Sequence, residues 1–370
     1  KALPFMQEQV RRYPEEYFLM EMGLLYLDMD RYEEALSFFR KAYEKNPESI
    51  FAYNNAGNCY MSMNMPQKAE AYLQKAVQLM KNEIVPLPYT NLAKCYRMMG
   101  KKEQALFYYE KARDLFPDRS EMYLLLGEFY RENQRFAEAI AAYRQGIVRG
   151  KEAKALEFEL LRTYGIMKDR VRVEETAEKL KEAYGEDGVL YQLLGEIWLY
   201  GLEDYRQAEV NLERAVELME EQKEEKEGLR GSLYLLGRCR LLLGNQEGAM
   251  EILQRCLGYC QDEQGDLEQF VSFYGEQSRR KLRLGFLFLF MDNKTEAEKY
   301  FREMCEEPFR CDGCGKACCY EKCIGEAMIL WMNGKEKQAL ALYEKAVQAM
   351  PDDMEHRFEY EQMKKWEESL

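Results

Sequence analysis

The sequence holds a single histidine, nine prolines and 24 glycines in 370 residues, and it has no long apolar run and no surplus of basic charge. Each shortage excludes something. With only His356 available, histidine-based metal motifs are absent and the choice of general bases is narrow. No nucleophile elbow, phosphate-cradling glycine loop or paired-carboxylate signature replaces them, so no enzymic activity is expected. The most apolar stretch, Leu282 to Met291, is too short to cross a bilayer and is broken by Arg283. A net charge of −13 and a pI near 5.0 leave no basic stripe for phosphates or anionic lipid, so neither nucleic acid nor a membrane is expected as partner. The acidity is read as a solubility device. The Val, Ile and Thr runs of β-strands are also missing, whereas Ala, Leu, Glu, Lys, Met and Tyr abound.

What is present is a chain 47% hydrophobic, enough for a packed core. At this length the choice lies between several domains and one core that grows lengthwise. Internal repetition decides it. Leu19, Met22, Gly23 and Tyr26 are followed by Ala35, Phe39, Ala42 and Pro47. The pattern returns as Tyr53, Ala56, Gly57, Tyr60, Ala69, Leu73 and Ala76, then as Tyr89, Leu92, Ala93, Tyr96, Ala105, Tyr109, Ala112 and Pro117. It returns again as Tyr123, Leu126, Gly127, Tyr130, Ala139, Tyr143 and Gly146. The small residues at 23, 57, 93 and 127 lie 34, 36 and 34 residues apart, and each precedes its alanine by 12. Apolar positions at helical spacing on both sides of a short turn describe two antiparallel helices, A and B. One such hairpin cannot bury its own stripe, so neighbours must stack.

Later copies drift. Residues 155–184 keep Leu160, Leu161, Tyr164 and Ala177 without the small packing residues. The copy at Tyr191, Leu194, Gly195 and Trp198 gains about one residue in its turn, so its alanine arrives at 208. Copies at Leu233–Cys256, at Leu284, Gly285, Phe288, Ala297 and Phe301, and at Ala327–Pro351 are regular, and residues 354–368 read as a polar capping helix. Ala2, Met6, Gln9 and Pro14 fit the second half of a repeat, so the chain is expected to start inside or just after a hairpin.

These motifs resemble the tetratricopeptide-repeat (TPR) family over nearly the whole chain. The resemblance implies an all-α, right-handed superhelical solenoid, here of about nine hairpins plus a C-terminal capping helix. It implies a non-catalytic scaffold whose concave groove, lined by A helices, binds peptides or extended partner segments, with no obligatory cofactor. The expected organisation is a half-repeat or cap over 1–14, four regular repeats over 15–150, degenerate and regular hairpins over 151–308, a cysteine-rich loop over 309–323, and a final repeat with its cap over 324–370. A ligand-sensing or co-chaperone module of a larger protein is the alternative. One TPR subfamily grips the terminal carboxylate of chaperones with a Lys and an Asn, an Asn, then a Lys and an Arg. The corresponding positions here are Asn54, Asn58, Asn91, Met122 and Leu125. Both asparagines match and none of the three cations does, so that clamp is not expected. What remains is a polar groove of Asn54, Asn55, Asn58, Asn91, Lys94, Arg97 and Arg131. Asn amides can pair with any peptide backbone, and the cations can hold an acidic group on the ligand. The plainer alternative is a solvated face.

Eleven cysteines, scattered and partly on core faces, suit a reducing cytoplasm. Cys311, Cys314, Cys318, Cys319 and Cys323 cluster. Cys-x2-Cys-Gly resembles a zinc knuckle, and Cys319 and Cys323 share a helical face. Cys311, Cys314, Cys319 and Cys323, with Cys318 as substitute, are the candidate ligands of a structural zinc ion. An iron–sulfur cluster, a redox pair or unmetallated thiols are the alternatives.

Overall fold

The computed structural model of the chain describes residues 10–12, 15–80, 84–150, 152–222, 226–261, 277–306 and 320–368. Among them there is no strand; the structure is a run of helical hairpins. The described residues form two compact units, one ending at Leu126 and one beginning at Gly127.

In the first unit α1 (Glu16–Asp28) pairs with α2 (Tyr32–Lys45), α3 (Ile50–Ser62) with α4 (Pro66–Leu79), and α5 (Pro86–Met98) with α6 (Lys102–Leu115). Helix α7 (Ser120–Glu132) crosses the unit boundary. The second unit continues with α8 (Phe136–Arg149), α9 (Lys154–Ile166), α10 (Arg170–Tyr184) and α11 (Gly188–Glu196), which runs into a π turn at Ile197–Gly201. Then come α12 (Tyr205–Gln222), α13 (Lys226–Leu242), α14 (Gln246–Gln261), α15 (Gln277–Phe290), α16 (Lys294–Glu306), α17 (Tyr320–Met332), α18 (Glu336–Ala349) and α19 (Met354–Glu368). Nine A–B hairpins and one terminal helix are thus present among the described residues, as the repeat spacing predicts.

The small residues do what their spacing requires. A Cβ on Gly23 would sit 2.4 Å from the Phe39 ring, one on Gly57 2.6 Å from Leu73 Cγ, and one on Gly127 2.2 Å from the Tyr143 ring. Gly195, Gly237 and Gly285 meet Leu212, Leu253 and Phe301 in the same way, each at 2.4 Å. The partner side chain of helix B therefore rests on the bare backbone of helix A. The facing alanines Ala35, Ala69, Ala105, Ala139, Ala208, Ala249, Ala297 and Ala339 are wholly buried. Burial also pushes the thiols of Cys59, Cys95 and Cys239 up to about 12, which leaves them protonated and inert at neutral pH.

All but one of the A helices stop in the same manner. Arg31 N–H donates to the Tyr26 carbonyl at 2.8 Å, and the bond recurs from Met65 to Tyr60, Lys101 to Tyr96, Arg135 to Tyr130 and Asp169 to Tyr164 at 2.8–3.0 Å. The residue before each donor adopts positive φ: Asp30, Asn64, Gly100, Gln134 and Lys168, at 54–70°. This six-to-one bond with a left-handed residue satisfies the last carbonyls and reverses the chain within three residues. The extra residue of the sixth copy is absorbed by the π turn, where Asp204 N–H reaches back to the Trp198 carbonyl at 2.9 Å. Single-residue insertions in helices commonly take this form.

The Gly127 contact gives a test. Gly127→Leu gains about 1 kcal/mol of helix propensity but overpacks against Tyr143, which is 0% exposed and cannot swing aside. The strain exceeds the gain, and urea unfolding is expected to show a net loss of at least ~2 kcal/mol.

Candidate functional site

In the first unit a polar chain joins two A helices. Asn91 Nδ2 on α5 donates to Asn54 Oδ1 on α3 at 3.0 Å, and Asn54 Nδ2 donates to Asn55 Oδ1 at 3.2 Å. Asn54 is 0% exposed and Asn91 6%, so Asn54 holds its neighbours rather than meeting a ligand itself. Asn55, Asn58, Lys94 and Arg97 are half-buried. Sequence spacing places them: Asn54 with Asn58, Asn91 with Lys94 and Lys94 with Arg97 are three or four residues apart and share helix faces. The face offers amide donors and acceptors beside two cations.

Arg131, the seventh groove residue expected from the sequence, belongs to the second unit. It is ion-paired there with Glu159, and its Nε lies 3.1 Å from Asp352 Oδ2. Burial works against its charge, but the carboxylates of Glu159 and Asp352 prevail and raise its pKa. The pairing continues along the A helices: Arg162 meets Glu159 at 3.5 Å and Glu196 at 2.8 Å.

The same unit holds a feature that the sequence reading missed. Helix α19 is helical as expected, but it is not a polar cap: Met354, Phe358, Glu359 and Met363 are buried. Arg238 of α13 grips the Glu359 carboxylate with two nitrogens, Nε at 2.9 Å and Nη2 at 3.0 Å. The Tyr234 hydroxyl donates to Glu355 at 3.0 Å. The Phe358 ring lies 5.5 Å from that of Tyr200 and 6.5 Å from that of Tyr205. At Gly201 a Cβ would stand 2.9 Å from the Gly165 carbonyl and 3.2 Å from Met354 Sδ, so only glycine lets α9, the π turn and α19 approach this closely. Burial raises the Glu359 carboxyl pKa, with Arg238 opposing. His356 is not simply exposed either: it is half-buried, with Nδ1 3.3 Å from the Tyr343 hydroxyl and its ring near Phe286 and Tyr320. The clue in the sequence was the stripe Met354, Phe358, Met363, which a cap in solvent does not need.

Of the expected metal ligands, Cys311, Cys314 and Cys319, with the substitute Cys318, lie outside the described residues. Cys323 lies on α17 and is 5% exposed. Among the described residues no group of three or more His, Cys, Asp or Glu side chains is placed to hold a metal. No helix among them is long and apolar enough to cross a membrane.

Paired antiparallel helices, small-residue contacts and repeated stop signals define a helical-hairpin repeat protein. Tetratricopeptide-repeat sequence models match residues 17–82, 48–118, 91–153 and 232–260, and these stretches of the chain are tetratricopeptide repeats. No curated protein matches it. Among solved structures it is similar to the C-terminal part of a TPR repeat-containing protein from Cytophaga hutchinsonii, at 16% identity and a TM-score of 0.47, over 67% of this chain and 98% of that one. It is similar to a tetratricopeptide repeat protein from Parabacteroides merdae at 16% identity and a TM-score of 0.49, over 66% and 93%. It also resembles PilF of Pseudomonas aeruginosa at 18% identity and a TM-score of 0.43, over 57% and 97%.

The Asn chain has a measurable weight. Asn54→Ala leaves the buried Asn91 amide without its acceptor, and is expected to cost ~1–3 kcal/mol in chemical denaturation. Asn58→Ala, on a half-buried side chain, should stay within ~0.5 kcal/mol of wild type.

Proposed function

We propose that the first unit is a non-catalytic adaptor that binds an extended peptide or partner segment against Asn55, Asn58, Asn91, Lys94 and Arg97. Tetratricopeptide repeats are in general protein-interaction scaffolds, and the reading here narrows that role to one face. The observation that supports it is the Asn91–Asn54–Asn55 hydrogen-bonded chain, which links two repeats and fixes amide groups at set positions. Amides held in place lose little freedom when a peptide backbone pairs with them. Lys94 and Arg97 favour a segment that carries an acidic group. In this reading Asn54 is a positioning residue, and Arg131 serves the second unit. The acidic composition and free cysteines fit a cytoplasmic setting.

A pull-down from source lysate with wild type and with Asn58→Ala/Lys94→Ala/Arg97→Ala tests it. The expected outcome is a partner captured by wild type and reduced at least tenfold by the triple variant. Equal capture by both would move the binding site elsewhere.

The cysteine spacing supports a structural zinc ion on Cys311, Cys314, Cys319 and Cys323 as part of the same scaffold. Metal analysis of chain purified in reductant is expected to give about one zinc per chain, falling at least fivefold in Cys314→Ser. Zinc-free chain with an unchanged melting temperature would remove this proposal.

A further inference from the structure

The second unit carries its own bound helix, and that helix shows what the surface beneath it recognises. Met354, Phe358 and Met363 are its buried apolar residues, and His356, Tyr360 and Trp366 add ring contacts to Phe286, Tyr343 and Trp331. Charge and hydrogen bonding orient it as well. Asp352, just before the helix, pairs with Arg131; Glu355 accepts from Tyr234; Glu359 is held by both prongs of Arg238. The floor includes Tyr200, Tyr205, Tyr234 and Arg238, and the Phe290 ring lies 4.4 Å from the Arg238 guanidinium. Tyr and Arg dominate the hot spots of protein interfaces, whereas interiors favour Leu and Val. Two polar atoms at the seat, the Tyr200 hydroxyl and Asp352 Oδ1, are buried with no protein hydrogen-bond partner among the described residues. The fit of α19 is therefore incomplete in its polar contacts. A short segment joins the helix to α18, and its outer face is polar or exposed at Lys364, Lys365 and Trp366.

We propose that this face of the second unit is a docking surface for an acidic amphipathic helix of a partner protein, and that α19 is the intramolecular occupant such a helix displaces. The recognised pattern is Glu-x2-Phe-Glu, as at Glu355, Phe358 and Glu359: two carboxylates one helical turn apart, read by Tyr234 and Arg238, with an aromatic ring between them placed over Tyr200. A tethered occupant lowers the apparent affinity of an external one by the fraction of time the seat is filled, so release of α19 must raise affinity. The inference concerns the second unit and is independent of the reading of the first.

The test uses the full chain and a fluorescein-labelled peptide of residues 351–368, read by anisotropy. Two release variants are compared with wild type: Phe358→Ala/Glu359→Gln, and Asp352→Ala/Glu355→Gln/Glu359→Gln, which keeps every apolar side chain. Both are checked for native far-ultraviolet circular dichroism and monomeric mass. The expected result is binding at least tenfold tighter to a folded release variant than to wild type. Adding Arg238→Glu should abolish it, and the peptide with Glu359→Arg should restore it. A peptide of unrelated sequence that keeps Glu, Phe and Glu at these spacings should bind within tenfold of the parent, and a scrambled one should not bind. Equal affinity for wild type and a folded release variant, or indifference to the Arg238 and Glu359 reversals, would overturn the proposal. So would a stable dimer of the release variant with no free peptide site, which would assign the seat to a second copy.

Discussion

The structure depends on one contact made many times: a bulky side chain of helix B resting on the bare backbone of helix A. At Gly23, Gly57, Gly127, Gly195, Gly237 and Gly285 a single added carbon would lie 2.2–2.6 Å from its neighbour. Such separations are far inside van der Waals contact, so interhelix distance within these six hairpins is set by the absence of a Cβ. Close hairpins in turn bring the A helices of successive repeats near enough for side chains to bridge them. The Asn91–Asn54 bond in the first unit and the Arg162–Glu196 pair in the second both link neighbouring A helices. The proposed binding surfaces are thus a consequence of packing on the other side of the same helices.

The two units use these A-helix bridges differently. In the first, neutral amides are joined to one another with Lys94 and Arg97 alongside. In the second, arginines are joined to carboxylates, and two of those carboxylates come from the C-terminal segment itself. Glu359 is buried and Arg238 half-buried, and the two are doubly bonded. Removing one partner of such a pair leaves an uncompensated buried charge, which costs far more than the intact pair contributes. The geometry therefore specifies which helix fits, more than it adds stability.

Much of the fold was legible because repeat physics writes itself into spacing. The interval of 12 from Gly23 to Ala35, and its recurrences, located both helices and the turn of each hairpin. The interval of 13 from Gly195 to Ala208 signalled an extra residue, but not that it would sit in a π turn at the end of the A helix rather than in the loop. The Asn cluster was legible as a set of faces, while its internal bonding was not: that Asn54 is wholly buried depends on α5 lying against it. The seat of α19 was hidden for the same reason. Arg131 and Asp352, or Arg238 and Glu359, are more than 100 residues apart, and no local period connects them. Helix α19 carries enough glutamate and lysine to read as solvent-facing, and only the stripe of Met354, Phe358 and Met363 pointed inward. The loop cysteines rest on spacing alone.

The central claim is that the second unit's A-helix face holds the C-terminal helix through the Arg238–Glu359 pair. Hydrogen exchange followed by mass spectrometry, on the full chain with and without Arg238→Glu, addresses it most directly. The account predicts that residues 354–368 are protected in wild type and lose that protection in Arg238→Glu, while α13 and α14 exchange as before. Residues 354–368 exchanging as an unstructured peptide in wild type, or staying fully protected in Arg238→Glu, would contradict it.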